Sequence, residues 1–224
     1  MSLPAQQTLP TVICVYCGSS PGNSEAHLVA ARELATALHS HGIQLVYGGG
    51  TTGIMGELAR TLVELSGPDA VHGFIPAALL DYERSNTGID RTKSVEYGKF
   101  TVVEDMHTRK SMMANRVQQG GPGSGFLALS GGIGTIEELM ETATWQQLGI
   151  HDRAVCILNI EGFWDGLVAW MNESVVKSGF LAADHWSSIG VTQTAEGAIR
   201  WLGEWQSART VNLEWRSTPK HGDI

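Results

Sequence analysis

The sequence predicts an α/β fold, a doubly wound parallel sheet with helices on both faces. Three observations carry that prediction. Short apolar runs of strand length alternate with stretches of helical periodicity along the chain. The strand-like runs are apolar on both faces, as strands covered by helices on each side must be. Three of them end in turns rich in glycine or serine, Cys17–Gly22, Gly48–Gly53 and Ser130–Thr135. A doubly wound sheet binds ligands outside the carboxyl ends of its strands, so the three turns line one crevice.

Taken in order, Thr11–Cys17 is the first strand and Gly18–Gly22 the turn after it. Asn23 or Ser24 can cap a helix that runs to about His41 and stops at Gly42, with Leu28, Ala31, Leu34, Ala35 and Leu38 on one apolar face. Ile43–Tyr47 is the second strand, followed by the Gly48–Gly53 turn and a helix over Met55–Leu65. Ala70–Ile75 is the third strand. Pro76–Ser94 is less regular, with a short helical piece near Ala78–Tyr82. Thr101–Glu104 is a fourth strand, and His107–Gln119 a helix carrying Arg109 and Lys110. The glycine-rich loop Gly120–Gly125 leads into the fifth strand, Phe126–Leu129. A helix covers about Thr135–Leu148. Ala154–Asn159 is the sixth strand, Gly162–Ser178 a helix, Ile189–Thr192 a short last strand and Ala195–Trp205 a last helix. The pattern is a single Rossmann-like domain over residues 11–206, with residues 1–10 and 207–224 as flexible termini.

Bulk properties narrow the class. With 224 residues and 42% hydrophobic content the chain can bury a core without disulfide or metal staples. A formal charge of −8 argues against a nucleic-acid surface, which needs clustered Lys and Arg. No apolar run approaches the roughly 20 residues of a membrane span. Met1–Thr11 lacks the basic start and apolar centre of a signal peptide. The odd number of cysteines, Cys14, Cys17 and Cys156, fits a reducing compartment and places the protein in the cytoplasm. Cys14 and Cys17 lie within a strand, where residues three apart face opposite sides, so they read as buried packing rather than a redox pair.

The chemistry centres on Ser130-Gly131-Gly132-Ile133-Gly134-Thr135-Ile136-Glu137-Glu138. Strand, glycine turn and helix start form a geometry that holds phosphate: the first helical N–H groups point at the anion and the macrodipole adds about half a positive charge. Thr135 can cap the helix or bond a phosphate oxygen, and Thr135-x-x-Glu138 also reads as an ordinary capping box. Glu138 lies one turn in, on the face of Thr135. A carboxylate beside an anion site points to charge that develops during a reaction. The P-loop lysine is absent from Gly48–Gly53, and no dinucleotide fingerprint follows the first strand. The ligand is therefore read as a phosphorylated small molecule or mononucleotide. No metal spacing and no nucleophile elbow is found.

Gly48-Gly49-Gly50-Thr51-Thr52-Gly53-Ile54-Met55-Gly56, Met106-His107-x-Arg109-Lys110 and Gly131-Gly132-x-Gly134-Thr135-x-x-Glu138 occur in this order. Together they resemble the Lonely Guy family, the cytokinin riboside 5′-monophosphate phosphoribohydrolases long labelled "possible lysine decarboxylase". The likeness runs from about Thr11 to Leu181. One departure is plain: the last motif usually opens with proline, and here it opens with Ser130, as fungal members allow. The glycine-rich insertion at 120–125 also looks similar to theirs.

The resemblance implies hydrolysis of the N-glycosidic bond of a cytokinin nucleotide to free N6-substituted adenine and ribose 5-phosphate. It implies Arg109 and Glu138 as the catalytic pair. It carries substrate contacts over to Gly131, Gly132, Ile133, Gly134, Thr135, Ile136 and Glu137, and to Lys110, Thr144, Ser19, Met106 and Glu83. The last match is the weakest, because the segment from Glu83 to Arg109 looks longer than in plant members. It implies no metal or organic cofactor, a nucleoside monophosphate as ligand, and a homodimer or higher homo-oligomer with the site near the interface. The helices near Met112–Gln119 and Thr142–Gln147 are expected to supply exposed methionine and tryptophan to that interface. Two other readings stay open on the residues: a module of the same fold that binds a nucleotide without cleaving it, and a nucleosidase directed at AMP itself. A pyridoxal enzyme would need a Schiff-base lysine, and of five lysines only Lys110 lies near the expected site.

Overall fold

The structure is a computed structural model in which residues 9–90, 95–206 and 213 are described. The expected flexible termini therefore lie almost wholly outside the described residues, as do residues 91–94 of the irregular stretch before the fourth strand. Among the described residues seven strands form one sheet in the order β4-β3-β2-β1-β5-β6-β7. They are β1 (Val12–Tyr16), β2 (Gln44–Tyr47), β3 (Val71–Pro76), β4 (Lys99–Val103), β5 (Gly125–Ala128), β6 (Ala154–Leu158) and β7 (Ile189–Thr192). Every pairing is parallel, with Val15 facing Tyr47 on one side and Leu127 on the other.

Among the described residues seven α-helices lie between strands, α1 (Ala26–Ser40), α2 (Gly53–Ser66), α3 (Ala77–Thr87), α4 (Met106–Gln118), α5 (Ile133–Gln147), α6 (Asp165–Trp170) and α7 (Ala183–Ser187), and α8 (Ala195–Glu204) follows the last strand. Alternate side chains of each strand go to opposite faces. Ile13, Val15, Leu45, Tyr47 and Leu127 pack with α1, α2 and α8 on one face. Cys14, Tyr16, Val46 and Phe126 pack with α4, α5, Trp164 and Trp186 on the other. Cys14 and Cys17 fall in these two different layers, both buried, as strand geometry requires.

Several local expectations are corrected. The piece expected at Ala78–Tyr82 is a full helix, Ala77–Thr87, ended by Gly88 in the left-handed region. No residue of α3 is buried, so apolar periodicity could not reveal it. The helix expected over Gly162–Ser178 starts later, at Asp165, and changes type part-way along without a break. Gly162 has φ +71 and cannot continue a right-handed helix, and α6 is followed by a π-helical turn over Met171–Val176. Asn159 seats the start of this segment, accepting from Trp164 N at 2.8 Å and donating to Asp165 Oδ1 at 2.7 Å. The five-residue α7 was not foreseen; it is too short to show a period. α1 begins at Ala26, and of the two expected capping residues Ser24 supplies the bond, its Oγ accepting from Ala26 N at 3.3 Å. Met113 is fully buried, and Met112 and Trp145 are partly buried against the core, so these helices expose less apolar surface than expected.

Candidate functional site

The sheet order reverses between β1 and β5: strands run outward from β1 to β4, then restart beside β1 at β5. The crevice outside the carboxyl ends of two such strands is where this architecture accepts ligands. Here the turns after β1 and β5 are joined directly, Gly18 N donating to Ser130 O at 2.9 Å. The turn after β2 closes onto the first, with Met55 N donating to Gly18 O at 3.1 Å and Thr52 Oγ1 to Ser19 O at 2.9 Å. Glycine is needed at these crossings. A Cβ on Gly53, which has φ +60, would lie 2.4 Å from the Ser19 carbonyl carbon, and one on Gly131 would lie 2.1 Å from Thr135 Oγ1.

A cavity of about 200 Å³ opens over this junction. Ser19, Met106, Arg109, Gly132, Gly134, Thr135, Glu137 and Glu138 line it, together with Cys17, Gly18 and Met55. α5 starts at Ile133 with Gly132 before it, and no side chain caps its first turn. Thr135 is therefore inside the helix, and the capping box read from Thr135-x-x-Glu138 does not form. Nothing lies within 4 Å of the space above Gly132 or Gly134. The first N–H groups of α5 are thus left for a ligand.

Arg109, on the first turn of α4, meets Glu138 from α5 at Nη1–Oε1 3.1 Å, and both side chains are only 8% exposed. The guanidinium is anchored by its Nε, which donates to Phe74 O at 3.2 Å. It occupies space that only glycine leaves free, since a Cβ on Gly48 would lie 1.9 Å from Arg109 Nη2. The ion pair is close but misaligned for a hydrogen bond, and Glu138 Oε1 is buried with no aligned donor. Burial raises the Glu138 carboxyl above its ordinary value, and the nearby Arg109 opposes that rise. A buried carboxylate left half-satisfied at a cavity wall needs a reason beyond packing. Cys17 also lines the cavity, but burial, reinforced by Glu138, pushes its thiol far up and keeps it protonated.

Lys110 turns away from the cavity and bridges to Glu137 and Glu141 on α5, the latter at 3.1 Å. Burial alone would lower its ammonium, but the two carboxylates outweigh burial and raise it. This clamp holds α4 against α5 and so sets the spacing of Arg109 and Glu138. The remaining expected positions lie outside the cavity wall. Glu83 accepts from Thr51 N at 3.0 Å and from Thr51 Oγ1 at 3.2 Å, bracing the Gly48–Gly53 turn. Thr144 is exposed and bonds back to Met140 O at 2.7 Å. Ile133 and Ile136 point outward, 87% and 38% exposed, and Gly131 is packed beneath the turn. The expected crevice turn beginning at Cys17 does supply Cys17 and Gly18 to the wall, whereas sequence reasoning missed Met55 as cavity wall and Gly48 as the seat of Arg109. The signal for Gly48 was present in the glycine run, but its partner lies 61 positions away in sequence.

Among the described residues no helix is long and apolar enough to cross a membrane. The family model described as "Possible lysine decarboxylase" matches residues 55–202. A Fusarium pseudograminearum protein named "Bifunctional cytokinin biosynthesis protein" is 53% identical over 95% of this chain. The chain spans only 44% of that relative's length. An Arabidopsis thaliana cytokinin riboside 5′-monophosphate phosphoribohydrolase is 41% identical over 76% of this chain and 72% of its own. Among solved structures, the molybdenum cofactor carrier protein of Chlamydomonas reinhardtii matches with TM-score 0.58 over 85% of this chain and 94% of that one. At 18% identity that likeness speaks for the α/β fold alone. The identity to phosphoribohydrolases, the matched family model and the three motifs converge on one conclusion: the chain belongs to the Lonely Guy family of cytokinin riboside 5′-monophosphate phosphoribohydrolases.

Proposed function

We propose that the chain hydrolyses the N-glycosidic bond of cytokinin riboside 5′-monophosphates, releasing the N6-substituted adenine and ribose 5-phosphate. The observation that carries this reading is the buried Arg109–Glu138 pair at the wall of a cavity roofed by an uncapped helix start. The phosphate binds the free N–H groups at Gly132 to Thr135. Cleavage passes through an oxocarbenium-like ribose. Glu138, as carboxylate, stabilises the cation at C1′ and orients the attacking water. The C1′–N9 bond breaks with its electron pair leaving on the purine, water oxygen bonds to C1′, and the water proton passes to the base. Arg109 stabilises the negative charge as it leaves. Lys110 and Glu137 act by fixing α4 against α5, and Glu83 by holding the second turn. Binding of the nucleotide, a single domain over residues 11–206, a homodimer with the site near its interface and a cytoplasmic location belong to the same proposal.

The test is incubation with isopentenyladenosine monophosphate, its riboside and AMP, with free base measured by chromatography. Base release from the monophosphate and not from the riboside is expected. Release from the riboside alone would overturn the phosphate-binding half of the reading, and release from neither would overturn the hydrolase.

A further inference from the structure

A second, larger cavity of about 510 Å³ adjoins the first. The two share Gly18, Ser19 and Gly132, so they meet along a ridge of small residues. Their charges differ. The first is lined by Glu137 and Glu138 against Arg109. The second has no carboxylate in its wall, which carries Ser20, Asn23, Ser24, His27 and Ser130, with Ile54 and Phe163 as its apolar part. A phosphate dianion placed in the first cavity faces two carboxylates; placed in the second it faces none.

His27 is the built feature of the second cavity. Its Nδ1 lies 3.0 Å from Ser130 Oγ, and Ser130 is 4% exposed. Its ring meets Phe163 edge-on at 5.8 Å. The imidazole is thus fixed on two sides, while its Nε2 takes no hydrogen bond from the described residues. Ser130 is also the position where the family motif usually has proline, which could offer no hydroxyl.

We infer that the nucleotide lies across the ridge, with its ribose over Glu138 and its 5′-phosphate in the second cavity, where His27 donates to it through Nε2. This rests on the phosphoribohydrolase reading above. With an anion at Nε2, the tautomer that satisfies both ring nitrogens has the proton on Nε2 and Nδ1 accepting from the Ser130 hydroxyl. Ser130 is then a positioning residue and His27 a phosphate-binding one. Gly132 lines both cavities, so a phosphate beside it in the second cavity can take N–H groups from the start of α5 as well as His27.

The test needs no turnover, so it can fail separately from the hydrolase reading. Ribose 5-phosphate and ribose are titrated calorimetrically into the purified chain and into His27→Ala, His27→Gln and Ser130→Ala. Loss of a hydrogen bond to a charged group should weaken ribose 5-phosphate by about tenfold to a hundredfold in His27→Ala and leave ribose unchanged. His27→Gln should recover part of the loss through its amide N–H. Ser130→Ala should cost about two- to tenfold, as a neutral bond that orients the ring. Unchanged ribose 5-phosphate affinity in a folded His27→Ala would overturn the inference. Equal losses for ribose 5-phosphate and ribose would also overturn it, by assigning His27 to the sugar and not to the phosphate. Should His27→Ala not fold, His27→Phe keeps the contact with Phe163 and removes the donor, and retained affinity there is equally contrary.

Discussion

Helices α5 and α8 both follow a parallel strand of the same sheet, yet their first turns are built in opposite ways. α8 is satisfied by its own chain: Thr194 Oγ1 accepts from Gly197 N at 3.1 Å, and Ala195, Ala198, Ile199 and Leu202 fill the core beneath it. α5 has Gly132 where α8 has Thr194, no side-chain cap, open space above Gly132 and Gly134, and Ile133 87% exposed. It buries Glu138 where an apolar residue would be expected. The same architectural unit is closed for stability at one edge of the sheet and left open at the topological switch point. The unmet hydrogen-bonding capacity of α5 is the capacity available to a ligand.

Four substitutions or conditions can break or sharpen that contrast. The largest effect is expected from Gly132→Asp, which sets a side chain and a negative charge where the phosphate approaches. Calorimetry should find nucleotide binding abolished with the thermal melt retained, whereas binding near the wild-type affinity would mean the α5 start is not the anion site. Gly48→Ala comes next. Its Cβ would meet Arg109 Nη2 at 1.9 Å, so the guanidinium must leave Glu138. A kcat loss of at least ~10²-fold follows if Arg109 stabilises the departing charge as a positioned donor usually does; an unchanged kcat would remove Arg109 from the reaction.

The third is pH. Burial raises the Glu138 carboxyl above its ordinary value of 4.5, and Arg109 opposes this. The active form is the carboxylate, so the acid limb of kcat/KM should lie above the range of an exposed glutamate. Arg109→Met should move that limb further up by removing the opposing charge. The sign for stability is the reverse of the usual carboxylate case. The folded state holds the proton more tightly than the unfolded one, so this contribution is full below about 4.5 and is lost as pH rises through the raised folded value. An acid limb at the ordinary glutamate position would show that Glu138 is not desolvated as described. The smallest effect belongs to the closed helix: Thr194→Ala should cost about 1 kcal/mol in denaturant melts and leave kinetics unchanged. A kinetic change there would blur the distinction between the two helix starts.

Much of this was legible in the sequence, for identifiable reasons. The strands and long amphipathic helices announced themselves because each must bury a face, and the turn residues Gly48–Gly53 and Ser130–Thr135 stood out because few other residues tolerate such close backbone approach. What escaped was of two kinds. α3, with no buried residue, carries no sustained period, and the change from α to π at Met171 leaves no mark in the pattern of the helix expected after Gly162. The second kind is pairwise contact between distant elements. Sequence spacing placed Arg109 and Glu138 in one site only through the family likeness. It could not reveal that Gly48 vacates the space Arg109 fills, that Lys110 is spent on Glu137 and Glu141, or that His27 and Ser130 meet at 3.0 Å across 103 positions.

The central claim is that the buried Glu138 serves the transition state and the open helix start serves binding. Glu138→Gln separates the two, because it keeps shape and hydrogen-bond reach while removing the charge that stabilises a ribosyl cation. Single-turnover kinetics and calorimetry on the same preparation should give a fall in kcat of at least ~10²-fold with nucleotide affinity retained, since the lost interaction exists mainly in the transition state. Turnover near the wild-type rate would contradict the account, leaving Glu138 a structural partner of Arg109.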